Sequence, residues 1–559
     1  MLTALEIENF KGIATRQRIE FAALTLLFGA NSAGKSTILH ALLYLHEMLE
    51  RGSADVDRTE LADNTVELGG FARFVHRHDL ARAIVIRAEF ATPGSLERFG
   101  RDLTNFPFPD LDDEVESAWL ELTVRFRTSP AFRGPLVERA VIGVNGDEEP
   151  LVWIETGASL REGEPLQVRV NLGHELLAKG TREEVMEGDG RQRHVTLPHA
   201  PAEVTESWEQ IAMAEEKVRH RLRDFKWEAE GGGSSGSGRG FGADVKGDDV
   251  VGFVGFGDSR SLPVFAVSRG RLSALPAPSE PLRVIPFGDD TPEKLVTAEQ
   301  VRTFLEMVVV GTTSQLATFL RDAPYIGPLR AIPPRGFLYE RAGRITGWGD
   351  GLAAWDLLLA DRQTLVDRTN SWLKRLGTGC QIIVQQLFDR GADAEDLSAG
   401  HVDKTVRRLL LDAGAGSLVL PSEVGAGISQ IIPVIVAAAE ERFGLTLVEQ
   451  PEIHVHPAVQ TGLGDLLIEA VAAEGNRRML LVETHSEHLI LRLLRRIRET
   501  TEKELAAEAP AFSDDKLSVL YLEATPEGVR VRRLRVDEHG EFVDRWPKGF
   551  FEERAEELF

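Results

Sequence analysis

One octet constrains this chain more than any other stretch. Gly29, Ala30, Asn31, Ser32, Ala33, Gly34, Lys35 and Ser36 fit the pattern GxxxxGK[ST], between an apolar run, Leu24 to Phe28, and a helical pattern from about Lys35 to Leu49. A buried strand that turns through glycines into a helix points successive backbone N–H groups into one small volume. The helix N-terminus adds partial positive charge there. Such a cradle holds phosphate. Lys35 is placed to reach the outer phosphates of a nucleotide and Ser36 to join a magnesium shell, with Thr37 beside them in the first turn. A chance glycine-rich turn is the bland alternative, and the strand-to-helix setting argues against it.

Three later elements extend this reading. Leu445 to Val448 is an apolar strand pattern that runs into Glu449, Gln450, Pro451 and Glu452. A strand ending in an acid is the Walker B arrangement, in which Glu449 would hold magnesium opposite Ser36. The next position often carries a general base, but here it is Gln450, which cannot take a proton. Glu452 is the candidate substitute; otherwise Gln450 positions water, or turnover is slow. Met479 to Glu483 is a further strand pattern, followed by Thr484, His485, Ser486, Glu487 and His488. His485 lies 35 residues past Gln450, about one helix and one strand, which places it on the neighbouring strand edge within reach of a γ-phosphate. A rival reading is a metal site made of His454, His456, His485 and His488, although their spacing matches no known ligand pattern. Finally, Gly425, Gly427 and Ser429 open a helical pattern 20 residues before Glu449 and form a second potential phosphate nest; the bland reading is a tight turn into a core helix.

Composition sets the limits. Of 559 residues, 43% are apolar and 27% charged, an ordinary globular balance that excludes a disordered chain. A formal net charge of −24 argues against a protein that coats DNA generally. A local basic patch remains, with Arg492, Arg495, Arg496 and Arg498 on a helical pattern and Arg530, Arg532, Arg533 and Arg535 on a strand pattern. The choice there is between DNA phosphates and salt bridges to the acidic body. One cysteine, Cys380, excludes an internal disulfide, and the longest apolar run is too short for a bilayer. The N-terminus shows no signal-peptide pattern. A cytoplasmic location without membrane partners is expected.

The coarse layout is strand signals at Leu2–Phe10, Ala83–Phe90, Trp119–Phe126 and Leu166–Val170, then helical signals at Ala202–Glu228 and Pro292–Arg321. The Gly/Ser tract 231–240 between those helices reads as a linker. Helical signal returns from Leu352 to about Leu376. After it, Ile428–Glu441, Ala458–Ala473 and Glu487–Glu499 alternate with strands, which implies a parallel sheet covered on both faces.

With four elements in this order, the chain resembles the ATP-binding-cassette ATPases, in the branch that holds the SMC and OLD-like proteins. It is also similar to a bacterial group of AAA-family ATPases with a C-terminal domain of unknown function. The residues that carry this second likeness are Leu68–Phe71, His76–Asp79, Tyr325–Arg330, the Glu449–Pro457 run, Glu483–His488 and Trp546–Phe551. The resemblance implies an α/β P-loop fold of SMC-head type, mostly parallel, with an antiparallel β subdomain and a large α/β insertion. The implied division is a first head half at 1–92, an insertion at 93–330, a second head half at 331–490 and an extension at 491–559. It further implies ATP and Mg2+ as ligands, and a homodimer or higher oligomer in which Gly425, Gly427 and Ser429 act in trans on a partner's nucleotide. A nucleotide-gated clamp or sensor in antiphage defence or genome maintenance follows, with a separate effector such as a nuclease. Alternatives are a low-turnover scaffold and a RecF- or SMC-like repair ATPase. Two departures stand out. No glutamine occupies the lid position near Leu68–Phe71, and the 71 residues after His488 are too few for the Toprim nuclease domain of the OLD proteins.

Overall fold

A computed structural model describes residues 1–55, 61–62, 65–92, 115–129, 132–146, 148–156, 305–335, 347–360, 363–387, 406–414, 416–472 and 478–547. It also describes shorter pieces at 167–171, 174, 180–186, 192–198, 249–252, 261–264, 266–269, 273–275 and 338–339. The expected helix at Ala202–Glu228 and the tract 231–240 lie outside the described residues.

Leu24–Gly29 sits in the middle of a six-stranded sheet because every residue of it is buried, and a strand buried on both faces needs neighbours on both edges. On one side it pairs in parallel with Met479–Glu483, which pairs in parallel with Leu445–Glu449, which in turn pairs with the two-residue strand Tyr325–Ile326. On the other side Leu517–Thr525 is parallel to it, and Gly528–Leu534 closes that edge antiparallel. The Glu449 and Glu483 strands are likewise buried along their whole length, which is why both read in sequence as unbroken apolar runs ending in an acid.

Helices cover the sheet. Lys35–Arg51 buries Ile38, Leu39, Ala41, Leu42 and Leu45, and stops where Gly52 takes a left-handed φ of 61° and donates its N–H to Met48. Ala426–Ala439, Pro457–Ala472 and Glu487–Thr501 follow in the second half. Ser486 caps the last of them by accepting the Leu489 N–H at 3.1 Å. The helical signal at Leu352–Leu376 resolves into two helices, Leu352–Leu359 and Gln363–Arg375.

A second, eight-stranded antiparallel sheet begins with Leu2–Glu8 and Gln17–Glu20 and continues through Ile84–Ala91, Ser117–Thr128, Arg133–Val144, Val152–Glu155, Gln167–Asn171 and Ser261–Val264. The described strands of 93–330 therefore include a direct continuation of the N-terminal sheet, joined to it through the pairing of Ile84–Ala91 with Ser117–Thr128. The tail is likewise built in: Leu517–Thr525 belongs to the central sheet, and Trp546 packs edge-on against Phe28 with ring centroids 5.5 Å apart. Among the described residues no helix is long and apolar enough to cross a membrane.

Candidate nucleotide site

The octet forms the loop that the spacing requires. Gly29 has φ 150° and Gly34 φ 89°, and a Cβ on Gly29 would lie 2.5 Å from the Leu522 carbonyl oxygen. Glycine is needed there both for backbone geometry and for room. Lys35 folds back over the loop and donates to the carbonyls of Gly29 at 3.2 Å and Ala30 at 3.1 Å. Burial lowers its pKa, against the pull of Glu483, Glu452 and Glu449. The site thus holds a desolvated cation with carboxylates around it.

Glu449 and Glu483 end neighbouring parallel strands in register with each other. Their surroundings differ. Glu483 accepts the Ser36 hydroxyl at 2.7 Å and lies 3.8 Å from the Lys35 ammonium. Glu449 instead accepts the Tyr325 hydroxyl at 2.8 Å and lies 3.6 Å from His40 Nε2 on the P-loop helix. His40 Nδ1 in turn meets the Lys11 ammonium. Burial raises the pKa of Glu483, a trend that Ser36 opposes and Glu449 reinforces.

Glu452 reaches across to His485, accepting its backbone N–H at 2.6 Å, while Glu452 Oε2 and His485 Nε2 are buried without a hydrogen-bond partner. Burial, and then Lys35, holds the His485 imidazole below its ordinary pKa. A neutral ring with an unmatched nitrogen beside the loop suits a phosphate oxygen. Gln450 begins the turn after the Glu449 strand at φ 45°, and its N–H donates to the Glu483 carbonyl at 2.7 Å. Magnesium fits these residues too: a hydroxyl and two carboxylates are the hard oxygen donors it prefers.

Arg330 is the hidden brace. It is 3% exposed, donates to the carbonyls of Glu449 at 2.6 Å and Gln450 at 3.1 Å, and exchanges hydrogen bonds with Gln430 on the Ala426–Ala439 helix. Burial brings its guanidinium down to about 10, despite Glu452 and Glu449.

Residues 1–100 and 368–490 match the AAA ATPase domain family, and this match contains the loop, Glu449, Gln450, Glu452, Glu483 and His485. The chain carries a split AAA ATPase domain. This ATPase domain is followed by a segment, 513–559, that matches a family described as protein of unknown function, DUF3696. No curated protein matches the chain in sequence. Similar solved structures include an SMC head bound to the C-terminal winged-helix domain of ScpA, 10% identical over 96% of this chain and 98% of that one, with a TM-score of 0.38. The SMC head domain from Thermotoga maritima is 9% identical over 96% and 99%, with a TM-score of 0.33. An SMC head with coiled coil and joint from Pyrococcus yayanosii is 10% identical over 95% and 97%, with a TM-score of 0.35.

The geometry bears on three of these readings. Ser429 is fully buried and its hydroxyl donates to the Pro421 carbonyl at 2.8 Å, so it faces the ATPase core and is not offered to a second copy. Gly425, Ala426 and, in the short turn before them, Ser422 and Glu423 are the exposed residues of that helix start. The four histidines do not gather: His454 and His456 are exposed, His456 Nδ1 accepts the Ala458 N–H, and among the described residues no group of three or more His, Cys, Asp or Glu is placed to hold a metal. The basic helix spends its charge within the molecule. Arg496 pairs with Asp465 at 2.8 Å, Arg492 with Asp465 at 3.8 Å, Arg495 with Glu499 at 2.6 Å and Arg498 with Glu541 at 3.7 Å. On the strand, Arg535 pairs with Asp544 at 2.8 Å.

Sequence reasoning assigned no role to Glu483, Tyr325, Arg330, His40 or Lys11. Glu483 carried a visible signal, a strand-ending acid like that of Glu449; the others became neighbours only through the sheet.

Proposed function

We propose that this protein binds Mg-ATP in the Gly29–Ser36 loop and hydrolyses it slowly, as a nucleotide-gated clamp or sensor that works by pairing two copies. The observation that carries the reading is the convergence of Lys35, Ser36, Glu449, Glu483 and the unmatched His485 Nε2 at one edge of the parallel sheet. The loop N–H groups and Lys35 bind the phosphates, and His485 offers its free nitrogen to the outermost one. Ser36 and the strand-ending carboxylates would hold magnesium, which supplies charge neutralisation between the outer phosphates. Gln450 can orient water but cannot accept its proton, which supports slow turnover. The exposed Gly425–Ala426 helix start, with Leu329 77% exposed in the loop before Arg330, supports a second copy as the element that completes the site. A setting in antiphage defence or genome maintenance, with a separate effector, rests on the family resemblance alone. The paired arginines give no support to DNA as the partner.

The test is ATP hydrolysis by the purified protein beside Lys35→Ala and Gln450→Glu. Turnover that vanishes in Lys35→Ala supports the reading. An idle wild type that binds ATP, with an active Gln450→Glu, favours a scaffold that uses ATP for assembly. A protein that binds no nucleotide refutes both.

A further inference from the structure

Two carboxylates flank one hydroxyl at this sheet edge, and their partners divide them. In P-loop enzymes the magnesium shell is built around the Ser or Thr hydroxyl of the loop. Here that hydroxyl, on Ser36, donates at 2.7 Å to Glu483, whose other oxygen lies 3.8 Å from the Lys35 ammonium. Glu483 is 4% exposed and stands on the strand between the loop strand and the Glu449 strand, so its carboxylate enters the site directly beside the cradle. Glu449 is turned to the rear wall. One of its oxygens takes the Tyr325 hydroxyl at 2.8 Å and lies 3.6 Å from His40 Nε2, with Lys11 behind that ring.

We propose that Glu483 is the principal protein carboxylate of the divalent-cation shell alongside Ser36, and that Glu449 is a positioning residue held from behind by Tyr325 and His40. The assignment rests on the nucleotide-site reading and goes beyond it, because it moves the metal role from the strand that sequence patterns pick to its neighbour. The chemistry is consistent. A carboxylate that already accepts the Ser36 hydroxyl can share one cation with that oxygen without moving far. The Tyr325 and His40 contacts of Glu449 both use Oε1 and hold that group from behind, whereas Glu483 is the carboxylate already bonded to Ser36.

The experiment is a Mn2+ titration followed by electron paramagnetic resonance, on the full chain with a non-hydrolysable ATP analogue, for wild type, Glu483→Gln, Glu483→Asp and Glu449→Gln. Fluorescent-nucleotide binding in EDTA runs in parallel. We expect Glu483→Gln to weaken Mn2+ binding by about tenfold or more, the range for loss of a metal-site partner. Glu483→Asp, which keeps the charge, recovers part of the loss. Glu449→Gln weakens Mn2+ binding less than Glu483→Gln does. If Glu483→Gln does not fold, the comparison of Glu483→Asp with Glu449→Gln decides, and a larger loss in Glu449→Gln overturns the assignment. Wild-type-like Mn2+ affinity in folded Glu483→Gln also overturns it. A wild type that binds no nucleotide in either assay refutes the nucleotide-site reading itself, a distinct outcome.

Discussion

Two helix starts in this molecule are built from glycine and serine, and they have opposite characters. At the Gly29–Ser36 loop the tip, Ala30 to Ser32, is exposed but the base is enclosed: Lys35 is 4% exposed, a Cβ at Gly29 would strike backbone, and the serine hydroxyl meets a buried carboxylate. At Gly425–Ser429 the order is reversed. Gly425 is exposed with nothing within 4 Å of a Cβ built on it, and the serine points inward to Pro421. The first helix start has its polar side chains matched within one chain. The second leaves Gly425 and Ala426 exposed, while Gly427 behind them is closed off by the His454 carbonyl, 2.4 Å from where a Cβ would sit. Glycine-rich helix N-termini look alike in a sequence, and what tells them apart is whether the fold supplies their partners.

The strongest way to break this comparison is Lys35→Ala, expected to lower ATP turnover about a hundredfold or more, the scale for loss of a charge-stabilising donor. Steady-state phosphate release checks it. Next come paired glycine replacements. Gly29→Ala puts a methyl group on the Leu522 carbonyl and holds alanine at a positive φ, so it is expected to cost about 1–3 kcal/mol of stability and most nucleotide affinity. Gly425→Ala meets nothing and sits at φ −56°, so thermal unfolding is expected to stay within about 0.5 kcal/mol of wild type. Its effect should fall on turnover at concentrations where copies pair. Equal loss of stability in the two variants would erase the distinction between them.

A serine replacement is expected to act more weakly. Ser429→Ala leaves the Pro421 carbonyl without this donor and is expected to cost about 1 kcal/mol in chemical denaturation, with turnover per folded molecule retained. The last effect is a pH dependence at the rear wall of the site. Burial lowers Lys11 from 10.5 to about 8. Between those values the unfolded chain holds a proton that the folded chain has released, so this group's contribution to stability rises as pH climbs through the window. The wild-type minus Lys11→Met difference in Tm should therefore grow from pH 8 upward, and a flat difference would deny the burial cost.

What the sequence made legible was local. The strand, loop and helix around Gly29–Ser36 are contiguous, and their periodicities switch within a few residues, so each could be read from its own pattern. The same holds for the strands ending in Glu449 and Glu483, whose burial on both faces left continuous apolar runs. The site's cross-links were not legible, because parallel strands bring together residues far apart in the chain: Ser36 with Glu483, Tyr325 with Glu449, Arg330 with Gln430. Ser429 misleads for a related reason. It follows two glycines, but one turn into the helix it falls on the same buried side as Gln430 and Ile432. The middle of the chain, about 93–320, yields strands by alternation but not its sheet, since antiparallel order is set by partners that no periodicity names.

Arg330 gives the ATPase head a mechanical character. Its guanidinium grips the turn just after Glu449 while its backbone and Gln430 grip each other, so the water-positioning turn and the exposed helix start are clamped by a single side chain. Turn and helix are therefore tied through one residue, and neither can shift without straining the hydrogen bonds of the other.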